Sequence, residues 1–238
     1  MKILAVSDIE DKILENIIAT EPEKLKDVDC IIACGDLTGK YLEYVTDSVH
    51  KNMFFVSGNH FTHQIYGDKF KTRKMRKKLY KGKGMRHRFG GIDMHGRMEI
   101  FKDYMIVGFG GAKRYNPGNF QFEEFEMEKL IKRAISSVRW QKIKDFVTFK
   151  KKKEVIVISH APVAGVHDKK DRCHQGFECF RTFISKIKPQ LWLHGHIHIE
   201  EQKKIQHSTL EKTLIVNAYA SKVIEAGKSE IIVKRVYD

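Results

Sequence analysis

Short apolar runs rich in β-branched residues recur along this chain, and each of them ends in Gly, Asp, Asn or His. Such runs are typical of strands that are buried on both faces of a sheet. They are KILAVSD (2–8), CIIACGD (30–36), MFFVSGNH (53–60), YMIVGFGG (104–111), EVIVISH (154–160) and QLWLHGH (190–196). Ligands of open α/β sheets bind at the carboxyl ends of the strands. The pattern therefore predicts that carboxylate, amide and imidazole groups converge at one edge of a sheet.

Helical periodicity separates several of these runs. It covers residues 12–20, 41–51, about 121–150 and 176–188. Further strands, RMEIF (97–101), TLIVNAY (213–219) and SEIIVKRVYD (229–238), are predicted without intervening helices. Strand–helix units followed by a strand meander indicate an α/β sandwich. Because the sequence shows no internal repeat and no Pro/Gly/Ser linker, we predict one domain over 1–238, with a basic loop or insertion around 67–96.

The formal net charge of +14 is concentrated in one segment. Residues 69–88, KFKTRKMRKKLYKGKGMRHR, contain eleven Lys or Arg and no acid, and the rest of the chain is nearly balanced. Clustered cations of this kind are what nucleic-acid or phosphate binding requires. Runs of like charge are also typical of a solvated insertion. Both interpretations of the segment stay open from the sequence.

Composition excludes several classes of protein. With 42% hydrophobic and 31% charged residues, the chain is predicted to be globular and not disordered. Its four cysteines are too sparse for a disulfide scaffold, which favours reduced thiols and a cytoplasmic location. The apolar run at the N-terminus is too short for a signal peptide, and no later run is long enough to span a membrane.

Five short motifs occur in a fixed order on the predicted strand ends. They are D-x-E (8–10), G-D (35–36), G-N-H (58–60), S-H (159–160) and G-H-x-H (195–198). The set resembles the signature of the calcineurin-like metallophosphoesterase family, which is D-x-H, G-D, G-N-H, H and G-H-x-H. One of these motifs alone would be weak evidence, whereas the ordered set is specific. The stretches GGIDMHGR (90–97), VGFGGAKRY (107–115) and SHAPVAG (159–165) are similar to compact prokaryotic members.

The resemblance implies a four-layer αββα sandwich, with two central mixed β-sheets flanked by helices, and a centre of two divalent ions. The first ion would be bound by Asp8, Glu10 and His198 and the second by Asn59, His160 and His196, with Asp36 bridging both. Two such ions polarise phosphoryl oxygens and generate a bridging hydroxide near neutral pH. His60 would lie over the phosphate and stabilise developing charge or protonate the leaving oxygen.

Two positions depart from the family pattern. Glu10 stands where most members have histidine, and Phe61 stands where Asp or Glu usually follows G-N-H. An additional carboxylate favours Mn²⁺ or Mg²⁺ over iron or zinc, with Mn²⁺ expected first. It also brings the net charge of the implied centre to zero, which favours diesters over dianionic monoesters. Phe61 removes the usual carboxylate brace of His60.

Other histidines are assigned more modest roles. His174, in CHQGF (173–177), aligns with a histidine that some compact members place over the active site, and this implies a substrate-binding role. His194 is expected to pack or to support a metal ligand from behind. His63 and His167 are predicted to have no role in the site.

The function expected from these motifs is metal-dependent hydrolysis of a phosphodiester or phosphomonoester, on a small or medium organic phosphate. A nuclease that uses the 69–88 segment to bind nucleic acid is one alternative. The other alternative is a non-catalytic interaction scaffold, because the retromer scaffold subunit keeps this fold with a compromised metal site. Competent side chains at the implied ligand positions and at His60 favour the enzyme.

Overall fold

Two six-stranded sheets and a separate two-stranded pair form the β-structure of this protein in a computed structural model that describes residues 1–60, 90–199, 204–227 and 230–237. Along the chain the strands are β1 (Lys2–Ser7), β2 (Cys30–Ala33), β3 (Met53–Phe55), β4 (Ile92–Asp93), β5 (Met98–Phe101), β6 (Tyr104–Phe109), β7 (Ala112–Lys113), β8 (Gln121–Phe122), β9 (Glu154–Ser159), β10 (Leu191–His194), β11 (His207–Leu210), β12 (Thr213–Asn217), β13 (Ala220–Ala226) and β14 (Ile231–Arg235). The helices within the described ranges are α1 (Lys12–Thr20), α2 (Gly39–Val49), α3 (Glu124–Val147) and α4 (Glu178–Ile187), with a 3₁₀ turn at Pro22–Leu25.

Both large sheets are mixed. The first has the order β14-β13-β1-β2-β3-β4. Strands β1 to β4 are parallel, β13 pairs antiparallel with β1, and β14 pairs antiparallel with β13. The second has the order β11-β12-β10-β9-β6-β5, with β6, β9, β10 and β12 parallel. The predicted four-layer αββα sandwich with two central mixed sheets is confirmed.

Three apolar clusters hold the layers together. The central cluster joins the facing sides of the sheets, for example Ile32 of β2 with Ile158 of β9. A second cluster packs α1 and α2 on the outer side of the first sheet. A third packs α3 and α4 on the outer side of the second sheet around Trp192, whose indole Nε1 donates to Ser159 Oγ at 2.8 Å. Because β1, β9 and β10 are buried on both faces, their sequences read as continuous apolar runs.

Side chains satisfy the first N–H groups of several helices. Asp11 accepts from the N–H of Ile13 at the start of α1. Thr38 Oγ1 accepts from the N–H of Tyr41 at the start of α2. Helix α4 is capped by its neighbour, because Glu124 Oε1 in the first turn of α3 accepts from the N–H of Cys179 at 2.8 Å. The amino ends of α3 and α4 are therefore joined by a hydrogen bond as well as by packing.

The strand runs are found where the sequence predicts them, and α1 has its predicted bounds. Strand β13 is missing from the prediction, because Ser221, Lys222 and Glu225 interrupt its apolar pattern. Lys222 is nevertheless buried, and its Nζ donates to the carbonyl oxygens of Tyr219 and Ser221. These hydrogen bonds offset the cost of burying the ammonium group. The composition alone does not indicate that this lysine is buried.

The predicted insertion at 67–96 is described only from Gly90 onward, where the chain enters β4 beside β3. The basic segment 69–88, Phe61 and His63 lie outside the described residues. Across the described ranges, no helix has the length and apolar character needed to cross a bilayer.

Candidate metal centre

Polar side chains follow the carboxyl ends of parallel strands in both sheets. Asp8 follows β1, Asp36 follows β2 and Asn59 follows β3. His160 follows β9, and His196 follows β10 in the second sheet. Asp36, His160 and His196 are buried and each offer one ligand atom, with these atoms within 4.8 Å of one another. The sequence predicts that these groups converge at one edge of a sheet; in the structure the strands that they follow belong to two different sheets.

Three donor atoms lie close to His160 Nε2. His160 Nε2 lies 3.2 Å from Asp36 Oδ2, 3.1 Å from Asn59 Oδ1 and 3.1 Å from His196 Nδ1. Ligand atoms that each lie about 2.1 Å from one metal ion are about 3.0–3.4 Å apart in octahedral or tetrahedral geometry. Each of these three contacts therefore has the spacing expected of two ligands of one divalent cation.

Hydrogen bonds from behind orient three of these ligands. His160 Nδ1 donates to the carbonyl of Cys34 and His196 Nε2 donates to the carbonyl of Cys173, each at 2.8 Å. The opposite ring nitrogens are thereby left with lone pairs that face the centre. Asn59 Nδ2 donates to Tyr115 Oη at 3.1 Å, which turns Oδ1 toward the same point.

The electrostatics of the pair formed by Asp36 and His160 also suit a cation. Burial alone would lower the pKa of His160, but the adjacent Asp36 carboxylate raises it to about 9. Burial alone would raise the pKa of Asp36, but the His160 imidazole and hydrogen bonds lower it to about 2. Burial lowers the pKa of His196 to about 3, so this ring is neutral. Without a metal the pair holds a proton at the position where a cation would bind.

Asp8 carries an unpartnered polar atom beside this cluster. Its Oδ1 accepts from the N–H of His196 at 2.8 Å, whereas its buried Oδ2 has no hydrogen-bond partner. Burial raises the pKa of this carboxyl group. An orphaned carboxylate oxygen in a buried site is costly unless a proton or a cation satisfies it. Asp8 therefore fits the role of a ligand to an ion adjacent to the first four donors.

The backbone at the centre is strained in a consistent way. Asp8, Asp36 and His196 have φ values of 68°, 53° and 69°, in the left-handed region that non-glycine residues rarely adopt. Two glycines permit close approach: a Cβ on Gly58 would lie 2.0 Å from Asp36 Oδ1, and one on Gly195 would lie 2.6 Å from Asp8 Oδ2. This explains why glycine precedes the ligands in G-N-H and G-H-x-H.

Glu10 and His198 lie outside the cluster of donor atoms. Glu10 is exposed, and its Oε1 accepts a hydrogen bond from Thr38 Oγ1 at 2.5 Å. His198 is also exposed, and its ring lies 5.1 Å from the ring of Tyr219. The sequence predicts both residues as ligands of the first ion. This assignment stays a prediction.

Two further histidines predicted for the site lie at its rim. His60 is exposed, and its backbone N–H donates to Asp36 Oδ1 at 2.8 Å, which places it directly beside the cluster. The ring of His174 lies 5.4 Å from the ring of His196, and its Nδ1 is bonded to Asp171 Oδ1 at 2.7 Å. Both positions are suitable for contact with a phosphate at the centre.

His194 and His167 form a separate chain of hydrogen bonds. His194 is fully buried, with Nδ1 bonded to the carbonyl of Gly195 and Nε2 bonded to His167 Nδ1, each at 2.9 Å. His167 Nε2 is bonded in turn to Ser208 Oγ at 2.9 Å. His194 therefore supports the G-H-x-H turn from behind, and His167, which the sequence leaves without a role, supports His194.

A family model described as calcineurin-like phosphoesterase matches residues 1–200. The chain belongs to the calcineurin-like phosphoesterase family. Members of this family are hydrolases of phosphate esters and bind divalent metals. No curated protein gives a significant match to the sequence.

Solved structures of similar fold include a Thermus thermophilus protein designated TT1561. It is 16% identical to the phosphoesterase chain described here, with a TM-score of 0.59, and the alignment covers 99% of this chain and 98% of that one. An archaeal phosphodiesterase is 14% identical with a TM-score of 0.43 and 99% coverage of both chains. Vacuolar protein sorting 29 from Cryptosporidium parvum is 8% identical with a TM-score of 0.40, covering 98% and 94%.

Tyr115 is a residue of the candidate metal centre that the sequence did not identify. It lies between β7 and β8, where its backbone N–H donates to Gln121 Oε1 at 3.1 Å. Its hydroxyl is the acceptor for the Asn59 amide. No local pattern marks such a residue, because the contact joins two loops that are far apart in sequence. The signal in the sequence for Tyr115 was the stretch VGFGGAKRY (107–115), which ends at this residue and is similar to compact members of the family.

We expect Tyr115→Phe to lower metal affinity by about tenfold, the lower end of the range for supporting residues of a metal ligand. The substitution removes the acceptor for Asn59 Nδ2 and keeps the ring and the backbone bond to Gln121. Titration of metal-free protein with Mn²⁺ measures the effect. Tyr44→Phe, on an exposed part of α2, is the control. Equal affinity of wild type and Tyr115→Phe would show that the amide is oriented without the hydroxyl.

Proposed function

We propose that this protein is a dinuclear metal-dependent phosphohydrolase that cleaves a phosphodiester or phosphomonoester in a small or medium organic phosphate. The observation that carries the proposal is the close approach of three donor atoms to His160 Nε2, which gives a group of four donors. The donors are Asp36 Oδ2, Asn59 Oδ1, His160 Nε2 and His196 Nδ1. The unpartnered Oδ2 of Asp8 supports an adjacent second position.

The residues of the centre divide into two sets of ligands. Asn59, His160 and His196 would hold one ion, and Asp8, Glu10 and His198 would hold the other, with Asp36 shared between them. Bound divalent ions supply Lewis acidity toward phosphoryl oxygens and lower the pKa of a water molecule, which provides the nucleophile. The protein contributes by fixing the ligands through Cys34, Cys173 and Tyr115.

His60 would donate the proton to the leaving group. Its backbone N–H is fixed on Asp36, so its exposed side chain is tethered at the mouth of the centre. An imidazole in this position can donate a proton to the leaving oxygen or stabilise charge on the phosphate. His174, with Nδ1 engaged by Asp171 and its ring 5.4 Å from that of His196, can present Nε2 to a phosphate oxygen.

The donor set supports Mn²⁺ as the metal, with iron, zinc or magnesium as alternatives. Nitrogen and oxygen donors together suit these cations, and the absence of cysteine sulfur among the proposed ligands is consistent with them. If Glu10 is a ligand, three carboxylates and a hydroxide neutralise two divalent ions. A neutral centre favours a phosphodiester, because a dianionic monoester gains less from it.

The proposed site is tested by metal analysis of purified protein and by turnover of matched chromogenic monoester and diester substrates with added Mn²⁺. Bound metal together with metal-dependent turnover would support the proposal. Stoichiometric metal without turnover on either substrate would favour a scaffold, and failure to bind any divalent ion would contradict the metal centre itself.

A non-catalytic interaction scaffold is the second candidate function, and the position of Glu10 favours it. The carboxylate is bonded to Thr38 at the amino end of α2, outside the donor cluster. A centre that loses one ligand in this way would hold its first ion weakly. The enzyme remains the stronger proposal, because Asp8, Asp36 and the proposed ligands of the second ion have side chains that can bind a metal. Those ligands are Asn59, His160 and His196.

We expect Glu10→Gln to weaken the first ion and spare the second, whereas Glu10→His should shift metal preference from Mn²⁺ toward iron or zinc. Thr38→Ala is the matched variant, since it releases the carboxylate from its hydrogen bond and leaves Glu10 in place. Activity with each metal on monoester and diester substrates measures these shifts. If wild type is inactive with every divalent ion and Glu10→His alone is active, the scaffold proposal replaces the enzyme.

Two further proposals rest on the sequence. Nucleic acid as a substrate or partner is supported by the charge of 69–88, a segment outside the described residues. A cytoplasmic location is supported by the four cysteines, which are all free thiols.

A further inference from the structure

Helix α3 has a second apolar face that is directed away from the core. Its buried face includes Ala134 and Val138, which pack in the cluster beneath the second sheet. Trp140 follows Val138 by two residues, so the two side chains point about 160° apart around the helix. Ile143 and Val147 lie on the same side as Trp140, at spacings of three and seven residues. An apolar stripe therefore runs along the solvent side of the last two turns.

The stripe continues beyond the end of the helix and is unusually exposed. We call this surface the α3 tip and define it by Trp140, Ile143, Phe146, Val147 and Phe149. Trp140 is 68% exposed, Phe146 82% and Phe149 98%. Other exposed large apolar residues within the described ranges, such as Ile13 and Ile100, are spread singly over the molecule. A contiguous cluster of this kind indicates a contact surface.

Cations surround the α3 tip. Arg139, Lys144 and Lys150 are exposed among the apolar side chains. The one acid between residues 139 and 153 is Asp145, which is buried and bonded to Lys153 Nζ at 2.9 Å and to Gln141. Lys151 and Lys152 are paired with Asp103 and Glu154, whereas Arg139, Lys144 and Lys150 form no ion pair within the described ranges. The surface therefore combines large apolar groups with these three unpaired cations.

This charge restricts what can cover the tip. In a two-fold dimer formed through this face, the same patch with Arg139, Lys144 and Lys150 would be present on both sides of the interface, and like charges oppose such contact. The segment 69–88 of the same chain is itself strongly basic, so charge repulsion also argues against it. The occupant must be both apolar and anionic.

We propose that the α3 tip docks on an anionic lipid surface. Its exposed apolar side chains project from the last two turns of the helix and from Phe149, two residues beyond its end, a shape suited to insertion into a lipid interface. Tryptophan and phenylalanine partition into the boundary between headgroups and acyl chains. Arginine and lysine beside them gain from the negative potential of the headgroups.

Docking in this way leaves the metal centre accessible. The tip lies just before β9, and His160 lies just after it. The six residues of β9 separate the two positions by about 20 Å along the strand. The α3 tip and the metal centre therefore lie at opposite ends of the second sheet. Turnover of a soluble substrate should be unaffected by changes at the tip.

Vesicle binding tests the proposal, and the chain contains its own reporter. Of its two tryptophans, Trp140 is exposed and Trp192 is fully buried, so a blue shift of fluorescence reports transfer of Trp140 to lipid. We expect the full chain to bind vesicles of equal phosphatidylcholine and phosphatidylserine with such a shift, and not to bind phosphatidylcholine alone. Each of Lys144→Gln and Lys150→Gln should weaken binding about fivefold, and added salt should weaken it further.

Phe146→Ser provides the decisive variant, with Phe125→Ser as its matched control on the same helix. Phe125 is also exposed, but it lies in the first turn, at the end near the metal centre. Phe146→Ser should lower vesicle partitioning about tenfold and Phe125→Ser should leave it unchanged. Three results would overturn the proposal: no binding to anionic vesicles, binding that Phe146→Ser does not weaken, or a dimer that Phe146→Ser dissociates in a protein that ignores vesicles.

Discussion

Replacing Asp36 with asparagine is expected to abolish hydrolysis and to release both ions. The carboxylate has Oδ2 within 3.2 Å of His160 Nε2, and its Oδ1 accepts from the N–H of His60. Asparagine keeps the shape and an acceptor for that N–H, so the fold should persist while the bridging charge is lost. Bound metal ions stabilise the charge of a phosphoryl transition state by several kcal/mol. Losing this stabilisation corresponds to a loss of about a thousandfold or more in turnover.

Elemental analysis and turnover of a chromogenic diester measure this loss. Asp47→Asn is the control, since it makes the same chemical change on the exposed side of α2. The control should keep its metal and its activity. Two metal ions per chain in purified Asp36→Asn would contradict the bridging role of Asp36, because no shared carboxylate would then be needed.

His60→Gln is expected to lower turnover by about a hundredfold or more with metal content unchanged, the usual scale for a positioned proton donor. The backbone N–H that bonds to Asp36 is retained, and the side chain is exposed at the rim of the centre. The loss should therefore be in kcat and not in the number of ions bound.

Metal content and turnover must be measured on the same preparation of His60→Gln. His207→Gln, an exposed histidine on β11, makes the matched comparison and should behave as wild type. If metal disappears together with activity in His60→Gln, then His60 is a ligand and its assignment as a proton donor is wrong.

Much of the fold and the second ligand set could be predicted because both depend on local rules. Buried parallel strands produce continuous apolar runs, and their carboxyl ends meet at one edge. This rule accounts separately for Asp36 with Asn59 and for His160 with His196, which follow strands of two different sheets, and the ordered motifs that resemble the family join the two pairs. The helices were recognisable from their periodicity, and α3 departs from its predicted range only by a few residues at each end.

Other features could not be predicted, because they depend on contacts between distant segments. The hydroxyl of Tyr115 reaches Asn59 across 56 positions of sequence. The carbonyls that set the ring orientations of His160 and His196 belong to Cys34 and Cys173, and backbone carbonyls leave no trace in a motif. The engagement of Glu10 by Thr38 is of the same kind, since D-x-E alone places both carboxylates on one side of a strand end.

Because the N–H of Cys179 donates to Glu124, the amino ends of α3 and α4 should unfold locally together. If the first turn of α3 frays, the amino end of α4 loses its acceptor at the same moment, and its amide protons become available for exchange with solvent. The two helices should therefore show matched protection at their amino ends, as a single cooperative unit does. Cys173, five residues before the start of α4, supplies the carbonyl that accepts from His196 Nε2, so the amino end of α4 continues the segment that orients this ligand.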